Sequence, residues 1–138
     1  MALGGVKMIC LNNPNNPTGA LMSPEILKKV VDIAKKSDAY LLVDEVYRHL
    51  TQDDEWQPSI VDMYEKGIST SSMSKVFSLA GVRLGWIATH DKDALKQFWS
   101  HRDYNLISSG MKDETIAALA RASKNHILER NKKNIREI

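Results

Sequence analysis

A single cysteine, Cys10, stands in the 138 residues, so no disulfide framework within the chain can hold the fold. No apolar run is long enough to span a bilayer, and the N-terminus shows no secretory pattern. An excess of one charge is also lacking: 19 Lys and Arg against 17 Asp and Glu leave a formal +2. That is too little to argue for nucleic acid or an anionic membrane surface. The basic cluster Lys124, Arg130, Lys132, Lys133 and Arg136 is interrupted by Glu129 and Glu137 and reads as a solvated helix face. His49, His90, His101 and His126 show no metal-ligand spacing and have no cysteine partners. There is no internal repeat. What remains is one domain's worth of chain with enough length to bury a core. A reducing, cytoplasmic setting is the default expectation, with Cys10 as a buried strand thiol.

The chain alternates strand and helix signals. Residues 7–12 read as a short buried strand running into Asn13-Pro14-Asn15-Asn16-Pro17-Thr18-Gly19, whose prolines exclude helix and central strand. Ser23-Pro24-Glu25 is a helix start, with a capping hydroxyl, a proline at the first position and an acid in the positive first turn. Ile26, Leu27, Val30, Val31, Ile33 and Ala34 form its apolar stripe, and the helix ends near Ser37. Tyr40 to Asp44 reads as a strand buried on both faces. Residues 51–66 are mixed and polar, with Asp53, Asp54 and Glu55 in an exposed loop. Strands are expected at 67–72 and at 82–89, the latter carrying Arg83 near its start. Asp91 can cap a helix with Ala94, Leu95, Phe98 and Trp99 inward. Two more helices follow, with Ile116, Leu119 and Ala120, then Ile127, Leu128, Ile135 and Ile138, as core stripes. The pattern is α/β, and ligands in such sheets bind beyond the carboxyl ends of strands.

Three segments near those ends carry chemistry. Lys75 lies among small hydroxyl residues in Ser71-Ser72-Met73-Ser74-Lys75, with Gly81 and Arg83 following. The lysine suits a phosphate-bearing aldehyde held as a Schiff base, and Ser72 and Arg83 can reach the phosphate. Asp44 ends an apolar strand, where a carboxylate needs a positive partner such as a protonated pyridine nitrogen. Tyr47 and Asn16 can each donate to a phenolate oxygen on the same ring. Taken singly, a lysine is usually a surface charge and Asn-Pro-Thr-Gly a turn. Together the readings reinforce one another.

Asn16-Pro17-Thr18-Gly19, Asp44-Glu45-Val46-Tyr47 and Ser72-Met73-Ser74-Lys75 followed by Arg83 resemble, in order and spacing, the signature of class I/II aminotransferases. These are the fold-type I, pyridoxal-phosphate-dependent enzymes typified by aspartate aminotransferase, and the resemblance covers most of residues 7–90. It implies part of the mixed, mostly parallel sheet with flanking helices of that family's large domain, and pyridoxal 5'-phosphate as cofactor. It further implies Lys75 as the Schiff-base lysine and proton shuttle, and Asp44 as partner of the pyridinium nitrogen. Asn16 and Tyr47 would bond the 3'-oxygen and Ser72 and Arg83 the phosphate, with the Asn16–Pro17 peptide cis.

By the same resemblance, residues 1–125 are part of the cofactor-binding large domain, and 126–138 begin the long helix to an absent small domain. A fragment of this kind is expected to be inactive alone. The full-length protein would be a homodimer acting on an amino acid and a 2-oxo acid, with no nucleic acid or membrane partner. Carbon–sulfur lyases and ring-forming synthases of the same fold are the alternative, as is a non-catalytic module. Many of those lyases have histidine at the position of Tyr47, which favours amino-group transfer.

Overall fold

The computed structural model describes residues 5–51 and 57–137. Four strands, β1 (Met8–Asn12), β2 (Tyr40–Asp44), β3 (Gly67–Ser72) and β4 (Gly85–Thr89), form one sheet in sequence order. β1, β2 and β3 are parallel, and β4 runs antiparallel to β3. The register sets Asn12 beside Asp44, and Asp44 beside Thr70, so the carboxyl ends of the three parallel strands lie side by side.

Helix α1 (Pro24–Lys36) makes the β1–β2 crossover. Its start is built as its residues suggest: the Ser23 hydroxyl accepts from the Ile26 N–H at 3.4 Å, Pro24 opens the first turn, and Lys35 and Lys36 close the last. Leu27, Val31 and Ala34 are its buried residues. Ile26 and Ile33 are 48% and 45% exposed, so the apolar stripe is narrower than expected. They lie roughly 100–120° around the axis from Leu27, on the flank rather than the sheet-facing line. The short helix α2 (Ile60–Met63) brings Ile60 and Tyr64 into the same core as Val31, Ala34, Leu41 and Val43.

Several expectations are corrected. β2 is buried on one face only: Leu41 and Val43 are buried, while Tyr40, Leu42 and Asp44 are half-buried. The opposite face of the sheet is open at Met8, Cys10 and Ile87, so Cys10 is an exposed thiol rather than a buried one. Its strand β1 lies at the sheet edge, and alternation turns Cys10 away from the α1 side. β4 begins at Gly85, which leaves Arg83 in the preceding turn and not in a strand. The expected loop at Asp53, Asp54 and Glu55, and Ile138 of the last stripe, lie outside the described residues.

Helices α3 (Lys92–Asn105), α4 (Met111–Ala122) and α5 (Lys124–Arg136) complete the chain. The Asp91 carboxylate caps α3, accepting from Asp93 N and Ala94 N at 2.9 Å each. α3 has no fully buried residue, and Trp99 is 56% exposed, so the inward face expected for it is not covered. In α4 the buried residues are Ala117 and Ala120, while Ile116 and Leu119 face outward. Small side chains sit where α4 comes close to the loop after β3. A second core gathers Met73, Val76, Phe77, Val82, Ala117 and Ala120, with Ile127 and Leu128 of α5 against it. Met73 and Phe77 are packing residues of this core. Trp86 is partly exposed and meets Phe77 edge-on, 6.5 Å between centroids.

Candidate active site

The first wall is the asparagine loop beyond β1. Asn13 N–H donates to the Asp44 carbonyl at 3.0 Å, which ties the loop to the end of β2. The Asn15 side-chain oxygen accepts from the Thr18 N–H and hydroxyl, its amide donates to Asn12, and the Asn12 amide donates to the Asn16 carbonyl at 3.2 Å. Asn15 N–H to Ala20 O at 2.9 Å and Met22 N–H to the Asn13 side-chain oxygen at 2.9 Å close the far side. Gly19 takes φ +70°, a conformation L side chains resist. The Asn13–Pro14 and Asn16–Pro17 peptides are both cis, the second as the resemblance implies. So many local bonds hold Asn16 in one place while its own side chain stays exposed.

Asp44, at the end of β2, is half-buried, and its Oδ1 accepts from the Val46 N–H at 3.1 Å. Tyr47 follows in a turn closed by Arg48 N–H to Glu45 O and Leu50 N–H to Tyr47 O. The turn is built around Glu45, a residue that sequence reasoning passed over. Its carboxylate is 5% exposed and accepts from the hydroxyls of Ser59 (2.8 Å) and Ser69 (2.9 Å), from Ile60 N–H (2.7 Å) and from the Arg48 guanidinium (3.1 Å). Arg48 also donates to the Gln57 carbonyl at 2.9 Å. A buried carboxylate this fully satisfied locks the turn to β3 and α2. The sequence signal for it was faint: an acid following a strand-end aspartate, with hydroxyl partners 14 and 24 residues away.

The third wall is the connection from β3 to β4. Ser78 N–H donates to Lys75 O, Leu79 N–H to Met73 O, and Val82 N–H to Leu79 O, each at 3.0 Å. Ser78 takes φ +56° within this turn. The Ser72 hydroxyl accepts from Ser74 N–H at 3.3 Å. Arg83 is exposed, and one arm of its guanidinium donates to Ala80 O at 2.7 Å, leaving the rest of the fork outward. Lys75 is exposed, and its Nζ lies 5.9 Å from the centre of the Tyr47 ring.

The structure therefore brings Lys75 to Tyr47, and the asparagine loop to Asp44. An open cleft of about 720 Å³ is lined by Asn16 and Tyr47 together with Pro17, Leu50 and Ile135. Ser72 pairs with Gly85, two residues after Arg83, which sets both residues at the same end of the β3–β4 pair. The donor set has one amine, one carboxylate, a phenol, a carboxamide, a hydroxyl and a guanidinium. It suits a ligand with an electrophilic carbon, a cationic nitrogen, a ring oxygen and a phosphate. No group of His, Cys, Asp and Glu side chains among the described residues could hold a metal ion. His49, at φ +75° and half-buried, has its imidazole pushed down to about 4, first by burial and then by Arg48, Lys124 and Lys132. A neutral ring is its resting state.

Residues 2–137 match the family aminotransferase class I and II. An aspartate aminotransferase of Pyrococcus horikoshii is 42% identical over 82 residues, 59% of this chain and 21% of that enzyme. A PLP-dependent aminotransferase from Streptococcus suis 89-1591 superposes with a TM-score of 0.81 at 46% identity, over 90% of this chain and 32% of that one. A PLP-bound C-S lyase from Staphylococcus hominis superposes with a TM-score of 0.74 at 26% identity, over 90% of this chain and 32% of that one. The chain belongs to the class I and II aminotransferase family. It spans about a fifth of the length of the curated relative and about a third of each solved one.

Proposed function

We propose that this chain is the cofactor-holding part of an aminotransferase that moves an amino group between an amino acid and a 2-oxo acid, with pyridoxal phosphate as cofactor. The observation that carries the reading is the approach of the Lys75 amine to the Tyr47 ring, 5.9 Å, beside the Asn16 cleft. When bound, the cofactor supplies an aldehyde for amines and an electron-withdrawing ring. Lys75 Nζ would hold the aldehyde end of that cofactor, and its amine, when free, would take up and return the proton of the substrate α-carbon. The Asp44 carboxylate keeps the ring nitrogen protonated by pairing with it. Asn16 and Tyr47 donate to the ring oxygen, and the Ser72 hydroxyl with the outward arm of Arg83 grips the phosphate.

Transfer is proposed for the whole protein, acting as a homodimer, and not for the 138 residues alone. Within that protein residues 1–125 form part of the cofactor-binding domain and 126–138 begin the helix towards a second, smaller one. An unpaired, exposed Cys10 is compatible with a reducing, cytoplasmic compartment. A lyase reading is supported by the likeness to the Staphylococcus hominis enzyme, but Tyr47 favours transfer.

The test is to mix the chain with pyridoxal phosphate, reduce with borohydride and map the labelled peptide. Label on Lys75 and loss of yellow colour in Lys75→Ala are expected. Equal colour and equal binding in Lys75→Ala would refute the assignment.

A further inference from the structure

Asn131 is the one buried residue of α5, and it is a carboxamide where an apolar side chain would pack more cheaply. Ile127 and Leu128 already supply the apolar contact of that helix with the Val76–Phe77 cluster. The amide nitrogen of Asn131 donates to the Val76 carbonyl at 2.8 Å, across 55 residues of sequence. Its oxygen accepts from the Arg130 guanidinium at 3.2 and 3.3 Å, which fixes the orientation of the amide. Val76 is itself buried and follows Lys75 directly. The N–H groups of Ser78, Leu79 and Val82 are committed to the carbonyls of Lys75, Met73 and Leu79. The loop thus supplies its own bonds on either side of Val76, and the Val76 carbonyl is met from outside, by α5.

We propose that Asn131 is a positioning residue for Lys75: by holding the carbonyl of the next residue it fixes the lysine backbone and hence where the amine meets the cofactor. This rests on the role proposed above for Lys75. The bond restrains the peptide plane shared by Val76 and Phe77, one residue beyond Lys75, and so limits how far the root of the Lys75 side chain can shift. Five single bonds then lead from its Cα to the Nζ beside the Tyr47 ring. With the bond cut, the root is free to shift, and the reach of the amine shifts with it.

The test compares the chain with Asn131→Asp, which keeps the shape but has no N–H to donate at neutral pH. Urea midpoints are matched by adjusting osmolyte. Hydrogen exchange at Ser78 and Leu79 is expected to quicken about tenfold, the order of one lost buried bond. The pH midpoint of the yellow band formed with pyridoxal phosphate is expected to move. Borohydride label on Lys75, relative to exposed Lys96, is expected to fall. Should Asn131→Asp fail to fold, Asn131→Ser, too short to reach Val76, gives the same comparison. Unchanged exchange overturns the proposal. Faster exchange with an unmoved midpoint also overturns it, since Asn131 would then be structural only. If the unsubstituted chain places no label on Lys75, the function proposed above fails. Exchange then decides only the backbone half of the proposal: protection lost only in residues 73–84 shows that the Asn131 bond holds the loop, and unchanged protection refutes it.

Discussion

Replacing Glu45 by alanine removes one carboxylate and strands four donors. The Ser59 and Ser69 hydroxyls, the Ile60 N–H and the Arg48 guanidinium all point at it from 2.7 to 3.1 Å, in a site where Glu45 is 5% exposed. Hydrogen bonds to a charged acceptor contribute about 1.5–3 kcal/mol each, but members of one cluster do not add. Removing one partner of a buried ion pair costs about 3–5 kcal/mol, and a loss of about 4 kcal/mol is expected here. With a urea slope of about 2 kcal/mol per molar, the unfolding midpoint should fall by about 2 M. Glu45→Gln keeps an acceptor for Ile60 N–H and should lose about half as much. Asp32→Ala, which cuts the exposed Lys28–Asp32 pair at 3.5 Å, serves as the control and should stay within about 0.5 kcal/mol. A Glu45→Ala loss below about 1 kcal/mol would refute the claim that this carboxylate locks the Asp44–Tyr47 turn.

Gly67 opens β3 directly beneath α2: a Cβ there would lie 2.6 Å from Ile60 O and 2.8 Å from Tyr64 O, both backbone atoms. Gly67→Ala should therefore cost about 1–3 kcal/mol in thermal or urea unfolding. His49 has a folded pKa of about 4 against an ordinary 6.5. Between those values the unfolded chain takes up the proton that the folded one refuses. The His49 contribution is thus fully present above pH 6.5 and lost as pH falls towards about 4. His49→Asn, which tolerates the positive φ, should flatten the dependence of the urea midpoint on pH in that window. An unchanged slope would show that other groups set it.

Local chemistry was the legible part of this fold. Ser23-Pro24-Glu25 starts α1 where its residues say it should, and the proline-rich asparagine loop and β1, β2 and β3 lie at their expected places. Arg83 misled because Val82 and Leu84 look like strand residues. They instead bury or half-bury in the turn's own core. In α4, Ala120 is buried as expected, together with Ala117, whereas Ile116 and Leu119 were misread because size was taken for burial. The four-residue α2 is too short to show a period. The site was legible as a list of residue types, but its supports were not. Glu45 and Asn131 act through partners 14 to 55 residues away, and distance in sequence hides a bond that only the fold creates.

The antiparallel β3–β4 pair also changes how the molecule can assemble. Ser72 meets Gly85 across a short hairpin-like connection, whereas Met8 must find Tyr40 through a helical crossover. Short closures cost less chain entropy and close sooner. The segment bearing Lys75 and Arg83 can therefore take shape early, as a local unit onto which the slower parallel strands are later laid.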